Sequence, residues 1–180
     1  MELRSERLNM RQITLDDWPL FLALHTDQLV TQYVCETQSE SQIREKFESR
    51  LPQWLPGSVH WLCLVMLDIH TEDPIGVTGL KVESPSGLIA EVGYMLLTQH
   101  QGKGYGSESL RTVMSYARDV LGLRALKGVV TEGNIASCRV LEKCGFVLEQ
   151  RQSNAFRIHG QLFDDLVYWH RTPVVNSARA

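Results

Sequence analysis

A glycine-rich run near the middle of the chain has the residue types of a phosphate-binding loop. The run follows a hydrophobic, strand-like segment, precedes a segment of helical period and reads Gln101-Gly102-Lys103-Gly104-Tyr105-Gly106. Glycines leave the backbone uncrowded, so its N–H groups can turn inward where a helix presents unpaired donors and its positive dipole end. That arrangement suits a pyrophosphate, although an ordinary glycine-rich turn between strand and helix would have the same composition.

Two other phosphate motifs are excluded by spacing. A dinucleotide fingerprint needs a third glycine where this chain has Ser107. A P-loop needs Ser or Thr after its Gly-Lys pair, but Gly104 follows Lys103. The remaining pattern is Gln-x-x-Gly-x-Gly.

A second segment predicts a short helix with capping signals at both ends. Asn134 is a favoured N-cap residue, and Gly145 suits the left-handed position just past the helix. Phe146 would then pack on Leu141, as the Schellman ending prefers. Local physics alone accounts for these residues.

The segments before the loop supply the elements that must position it. Alternation from Leu8 to Gln12 predicts a first strand. Asp16 or Asp17 is predicted to cap a first helix, and Ser39 with Gln42 forms a capping-box pattern that opens a second helix.

Strand-like runs then follow at 61–67, 75–82 and 90–97, with a predicted turn at 84–87. Connections this short require antiparallel neighbours. The helix after the glycine loop provides a longer crossover, so the strand at 124–130 can pair in parallel with the strand before the loop.

Composition bounds the class of protein. The 180 residues carry a net charge of −3, which gives no electrostatic reason to expect nucleic acid or a membrane surface as a partner. The four cysteines and six histidines lack metal-site spacing, so no metal is expected. With no signal-peptide pattern at the start, the sequence predicts a cytoplasmic protein with reduced cysteines, either a monomer or a homodimer.

Several motifs, in order along the chain, resemble those of the GNAT acetyltransferases. The loop pattern resembles their acetyl-CoA pyrophosphate loop, and Asn134-x-x-Ser137 with residues 141–146 resembles their second conserved segment. Three further stretches resemble the RimJ/RimL-type branch, which acetylates protein N-termini: residues 5–8 (Ser-Glu-Arg-Leu), 91–96 (Glu-Val-Gly-Tyr-Met-Leu) and 164–168 (Asp-Asp-Leu-Val-Tyr).

The resemblance implies an α/β (α+β) GNAT fold and a single domain over residues 1–180. Its mixed, mostly antiparallel sheet would carry a splayed parallel pair, the fourth and fifth strands, with helices on both faces. Acetyl-CoA would lie in the cleft between the splayed strands, without a metal. The implied cofactor-binding residues are Met95, Leu96, Leu97, Gln101, Gly102, Lys103, Gly104, Tyr105, Gly106 and Asn134.

The implied chemistry is direct attack of a primary amine on the thioester, assisted by two catalytic residues. Ser137 would donate a proton to the leaving thiolate, since Leu141 stands where many family members have a tyrosine donor. Glu91 would act as a base, directly or through water, or would instead be a strand-edge carboxylate with a structural partner.

The acceptor is expected to be the N-terminal α-amine of a protein, of the ribosomal-protein type. Two alternatives stay open: a small-molecule amine, and a non-catalytic CoA-binding sensor domain. The acceptor would enter between the first two helices and the last strand pair, where four aromatic residues could line its path: Trp18, Tyr33, Trp54 and Phe156.

Overall fold

The computed structural model describes residues 1–84, 88–158 and 160–171, which form one eight-stranded sheet flanked by helices. The strands are β1 (Glu2–Arg4), β2 (Leu8–Gln12), β3 (Leu62–Asp68), β4 (Pro74–Ser84), β5 (Ile89–Leu96), β6 (Ala125–Thr131), β7 (Val147–Ile158) and β8 (Gln161–Arg171). The helices are α1 (Trp18–Thr26), α2 (Gln28–Thr31), α3 (Glu40–Glu48), α4 (Tyr105–Asp119) and α5 (Ile135–Lys143). Short 3₁₀ turns cover Leu15–Asp17 and Thr98–His100.

The sheet is antiparallel except at one pair. Its order is β1-β2-β3-β4-β5-β6-β8-β7, and among the strands of the described residues only β5 and β6 run parallel, joined by the α4 crossover. This confirms the predicted mixed, mostly antiparallel GNAT-type sheet with one parallel pair. The expected fourth and fifth strands are β5 and β6, because the sequence pattern did not predict the three-residue strand β1.

The parallel pair separates soon after it begins. Pairing of β5 with β6 covers only Ile89 with Ala125, Ala90 with Leu126 and Glu91 with Lys127. Beyond this point β5 continues to pair with β4, and β6 continues to pair with β8. The edge of β5 that faces β6 is therefore left open over residues 92–96, which creates the splayed cleft.

Helices cover both faces of the sheet, as expected. On one face α4 and α5 bury Leu110, Val113 and Leu141 against a large apolar cluster. On the other, α1 and α3 bury Phe21 and Phe47 in a separate cluster. The sheet forms the wall between these two cores, and the cleft opens through that wall.

The helix-capping predictions have different outcomes. Ser39 caps α3 with the predicted capping box. Asp17 is the N-cap residue of α1, as expected, but its side chain makes no capping hydrogen bond to that helix, because its carboxylate accepts from the Thr14 backbone N–H at 2.7 Å and binds the Arg11 guanidinium. Of the predicted turn at 84–87, residues 85–87 lie outside the described residues.

Candidate active site

The glycine loop ends in the N-terminus of α4 with its backbone donors free. Gly104 is the N-cap residue and has φ +87°, while Gly102 has φ +73°, both in the left-handed region that favours glycine. Within the part of the chain that the structure describes, no N–H of residues 102–106 donates to another backbone group. These donors and the α4 dipole form a site suited to a phosphate group.

Arg7, just before β2, holds this loop in place. Its backbone N–H and its Nε donate to the two carboxylate oxygens of Glu108, in the first turn of α4, at 2.8 and 2.7 Å. Its guanidinium also donates to the Lys103 carbonyl at 3.1 Å and lies 4.4 Å from the centre of the Tyr105 ring. Arg7 therefore fixes the loop, a role that the sequence analysis did not assign.

A cavity of about 530 Å³, here called the loop-side cavity, lies between this loop, α5 and the open edge of β5. Eight of the ten predicted cofactor-binding residues line it: Met95, Leu96, Gln101, Gly102, Gly104, Tyr105, Gly106 and Asn134.

The other two predicted cofactor-binding residues lie outside that lining. Leu97 packs against the apolar cluster of α1 and α3, and its N–H donates to the Ile75 carbonyl at 3.0 Å. Lys103 is in the loop, but its side chain does not line the cavity.

Ser137 lies in the first turn of α5 and is fixed by two neighbours. The Asn134 side chain caps the helix by accepting from the Ser137 N–H at 3.1 Å. The Tyr94 hydroxyl, from β5, lies 2.9 Å from Ser137 Oγ and donates to the Ser137 carbonyl at 3.1 Å. A phenol has one hydrogen, so while that hydrogen is donated to the carbonyl, the serine hydroxyl donates to the Tyr94 oxygen.

Tyr94 stays a neutral phenol in this setting. Burial raises the pKa of Tyr94 well above its ordinary value, and the hydrogen bond with Ser137 offsets only part of that effect. The sequence motif at 91–96 contains Tyr94 but does not predict its contact with Ser137.

Glu91 lies where β5 and β6 part. Its carboxylate is 3.3 Å from Lys127 Nζ, and Lys127 also pairs with Glu83. Burial acts against the charge on Lys127, but the two carboxylates outweigh it and raise the pKa of Lys127. Glu91 thus has the structural partner that one of the two interpretations anticipated, while it also lines a cavity.

That second cavity, here called the helix-side cavity, has a volume of about 440 Å³ and lies between α1, α3 and the sheet. Tyr33 and Phe156 line it, as the sequence analysis anticipated. Trp18 instead packs on Phe47, with ring centres 5.3 Å apart. Trp54 is buried, and its indole N–H donates to the His60 carbonyl.

The two cavities meet at the splay. The residues that line both are Tyr33, Val34, Tyr94, Met95, Asn134 and Ser137. Strand alternation places Glu91 on the α1–α3 face of β5 and Tyr94, with its partner Ser137, on the α4–α5 face. One reactant could therefore reach a molecule bound between β5 and β6 from the Glu91 side. A leaving group could depart on the Ser137 side.

Metal-binding clusters and membrane-spanning helices are both absent from the described residues. No group of three or more His, Cys, Asp or Glu residues in ranges 1–84, 88–158 and 160–171 is placed to hold a metal ion. Among the helices that the structure describes, none combines the length and apolar character needed to cross a membrane.

Comparison with sequence families identifies relatives over most of the chain. A family model described as "Acetyltransferase (GNAT) domain" matches residues 7–147. YoaA of Bacillus subtilis, described as an uncharacterized N-acetyltransferase, is 30% identical over 171 residues, which cover 92% of this chain and 94% of YoaA.

Comparison with solved structures identifies the same fold. A spermidine N-acetyltransferase from Vibrio cholerae, solved in complex with CoA and spermine, has a TM-score of 0.81 at 21% identity, with 93% of this chain and 96% of that chain covered. A second Vibrio cholerae protein, provisionally described as a ribosomal-protein-serine acetyltransferase, has a TM-score of 0.78 at 22% identity, with 96% of this chain and 98% of that chain covered.

Proposed function

This chain belongs to the GNAT acetyltransferases and is an N-acetyltransferase, and we propose that it transfers acetyl from acetyl-CoA to the N-terminal α-amine of a protein, as in the RimJ/RimL-type branch. The observation that carries the proposal is the meeting of two cavities at Ser137 and Tyr94, one bordered by the glycine loop and the other by Glu91.

The loop-side cavity fits acetyl-CoA on two counts. The unpaired N–H groups of residues 102–106 at the start of α4 suit the pyrophosphate. The open edge of β5 from Val92 to Leu96 offers strand-type hydrogen bonds to the two amides of pantetheine. When bound, this group supplies a thioester, whose carbonyl carbon is attacked by the amine.

The residues around the gap then have separate roles. An N–H of the open β5 edge stabilises the negative charge that develops on the thioester oxygen. When the Tyr94 hydrogen turns from the Ser137 carbonyl to Ser137 Oγ, the serine hydrogen is released from Tyr94, and Ser137 Oγ donates that proton to the departing sulfur. Glu91, on the opposite face of β5, accepts a proton from the attacking amine, either directly or through water.

The choice of an α-amine rests on proton affinity. A lysine side chain has a pKa of ~10.4 and a protein α-amine one of ~7.7–8.0, so near neutral pH the free α-amine is more available by roughly 3 kcal/mol. Glu91 is already ion-paired with Lys127, which leaves little support for deprotonating a lysine. The likeness to the structure described as a ribosomal-protein-serine acetyltransferase also favours this acceptor.

A small amine is the second candidate, because one structural neighbour was solved with spermine. A third, a CoA-binding sensor, is disfavoured because the chain retains both Glu91 and Ser137.

The proposal takes all 180 residues as one domain, since β7 and β8 complete the sheet beyond the matched range. It places the reaction in the cytoplasm, which suits free cysteines, with the enzyme acting as a monomer or homodimer.

We expect Tyr94→Phe to lower kcat about 3- to 10-fold while leaving the KM for acetyl-CoA nearly unchanged. The substitution removes one neutral hydrogen-bond network that orients Ser137 but keeps the aromatic ring in place. Steady-state kinetics measure both constants. Wild-type kcat in a folded Tyr94→Phe protein would show that Ser137 needs no such positioning.

One peptide in two forms tests the acceptor. The first form has only its N-terminus free, and the second has only a lysine side chain free. We expect a higher kcat/KM for the first form because a far larger fraction of its amine than of a lysine amine is deprotonated near neutral pH. A higher kcat/KM for the lysine form would overturn the choice of acceptor and point to a stronger base.

A further inference from the structure

Two basic side chains line the helix-side cavity without an acidic partner. Lys46 lies in the last turn of α3, and Arg50 lies four residues further on. Among the described residues neither forms an ion pair with a carboxylate; Lys46 Nζ donates instead to the neutral Gln38 amide oxygen at 2.9 Å. The Arg50 guanidinium lies 5.1 Å from the centre of the Trp61 ring.

Burying the positive charges of Lys46 and Arg50 costs the free protein stability. Burial lowers the pKa of Arg50, and burial together with the charge on Arg50 lowers the pKa of Lys46, because each cation is removed from water without a carboxylate partner. The third basic group nearby, His25, is neutral at pH 7, since burial lowers its pKa to about 4. An anion bound between Lys46 and Arg50 would relieve this cost.

Lys46 and Arg50 lie on the proposed acceptor side of the place where the two cavities meet. The Trp61 ring beneath Arg50 packs against Gly93, where an added Cβ would be 3.2 Å from the ring. Gly93 follows Glu91 by two positions on the same face of β5. The helix-side cavity is therefore lined by Arg50, Trp61 and Glu91. The glycine loop borders the other cavity, on the opposite face of β5.

We propose that Lys46 and Arg50 form an anion subsite, which binds a carboxylate of the acceptor while its amine faces Glu91 and the splayed strands. This inference rests on the proposed function and narrows it to amines that carry an acidic group close by. The shared chemistry is a carboxylate, which either the second side chain of a peptide or the free carboxyl group of an amino acid could supply. Lys46 and Arg50 would repel the positive charges of a polyamine from this subsite, whereas the acidic residues that line the same cavity are Glu91 and Asp165.

A neighbouring arginine on the same helix shows a different arrangement. Arg44 lies outside the cavity lining, 3.6 Å from the centre of the Trp18 ring and at 4.0 Å from Glu40. It is a surface cation with an acidic neighbour, so Arg44→Gln removes one positive charge from α3 without touching the proposed subsite.

The test uses the full chain and amidated peptides that differ only in their second residue, which is aspartate, asparagine or lysine. A free amino acid and its primary amide form a second arm, which distinguishes the two carboxylate sources. Turnover is followed by thiol release, and binding of the same acceptors is measured by calorimetry with CoA present. If a peptide side chain supplies the carboxylate, we expect the aspartate peptide to exceed the asparagine and lysine peptides roughly 10-fold or more in affinity and in kcat/KM. If an amino acid supplies it, we expect the free amino acid to exceed its amide by a similar factor.

Substitutions then show whether Lys46 and Arg50 cause the preference for acidic acceptors. Lys46→Gln and Arg50→Gln should each reduce it about 3- to 10-fold, Arg50→Glu should reverse it towards the lysine peptide, and Arg44→Gln should leave it unchanged. Equal binding of acidic and neutral acceptors by the wild type, or a preference that survives in both Lys46→Gln and Arg50→Gln, would overturn the subsite. Acid-dependent binding without any thiol release would uphold the subsite and contradict the proposed function instead.

Discussion

Replacing Gly104 with valine is expected to abolish measurable binding of acetyl-CoA. Gly104 has φ +87°, a conformation that costs an ordinary residue about 1–2 kcal/mol and a β-branched residue more. The loop can escape this strain only by rotating its backbone, which turns the N–H groups at the start of α4 away from the pyrophosphate. Calorimetry on the purified variant measures the loss.

Gly57→Val provides the matched control. Gly57 also has a positive φ, +97°, but it lies in an exposed turn between α3 and β3, with nothing within 4 Å of an added Cβ. The Gly57→Val protein should lose about as much stability as the Gly104→Val protein but keep its affinity for acetyl-CoA. Unchanged affinity in a folded Gly104→Val protein would remove the loop from coenzyme binding.

Ser137→Ala is expected to lower kcat by roughly 10- to 10⁴-fold, the upper part of that range being typical of lost general acid catalysis. The leaving thiolate then has no hydroxyl donor from α5, and Leu141, one turn further along that helix, cannot replace it. Binding of acetyl-CoA should change little, because the glycine loop and the open edge of β5 are intact.

An exposed serine on α4 supplies the comparison for that substitution. Ser115→Ala removes a hydroxyl from the solvent-facing side of α4 and should retain wild-type kcat. Pre-steady-state and steady-state rates for both variants separate chemistry from product release. If Ser137→Ala transfers acetyl at the wild-type rate, the proton reaches the thiolate from another group.

The parts of the site that sequence predicted well are those fixed by local structure. The glycine loop depends on backbone conformations that few other residues adopt, such as the positive φ of Gly104. The ending of α5 likewise follows the Schellman pattern, with the Gly145 N–H donating to Glu142 at 3.0 Å and the Phe146 N–H donating to Leu141 at 3.1 Å. Such signals need only a few neighbouring residues.

The contacts that sequence did not predict depend on the register of distant segments. Arg7 and Glu108 are separated by 101 residues and meet only because β2 begins beside the start of α4. The ion pair of Glu91 with Lys127 follows from the last paired position of β5 and β6. The contact of Tyr94 with Ser137 requires β5 and α5 to lie against each other across the cleft.

The side chains of Asp17 and Leu97 have contacts that their local sequence patterns do not include. Asp17 has the residue type of a helix cap, but its carboxylate is used by Thr14 and by Arg11, at 2.8 and 2.9 Å. Leu97 continues the apolar run of β5, yet it follows the end of that strand and packs into the core of α1 and α3. Both outcomes depend on tertiary neighbours.

A crystal structure of the chain with CoA tests the central claim most directly. The claim is that the thioester sulfur lies where the two cavities meet, on the Ser137 side of the gap between β5 and β6. The account predicts the CoA sulfur within hydrogen-bonding distance of Ser137 Oγ, with the pyrophosphate on the N–H groups of residues 102–106. A pyrophosphate bound elsewhere, or a sulfur out of reach of Ser137, would contradict it.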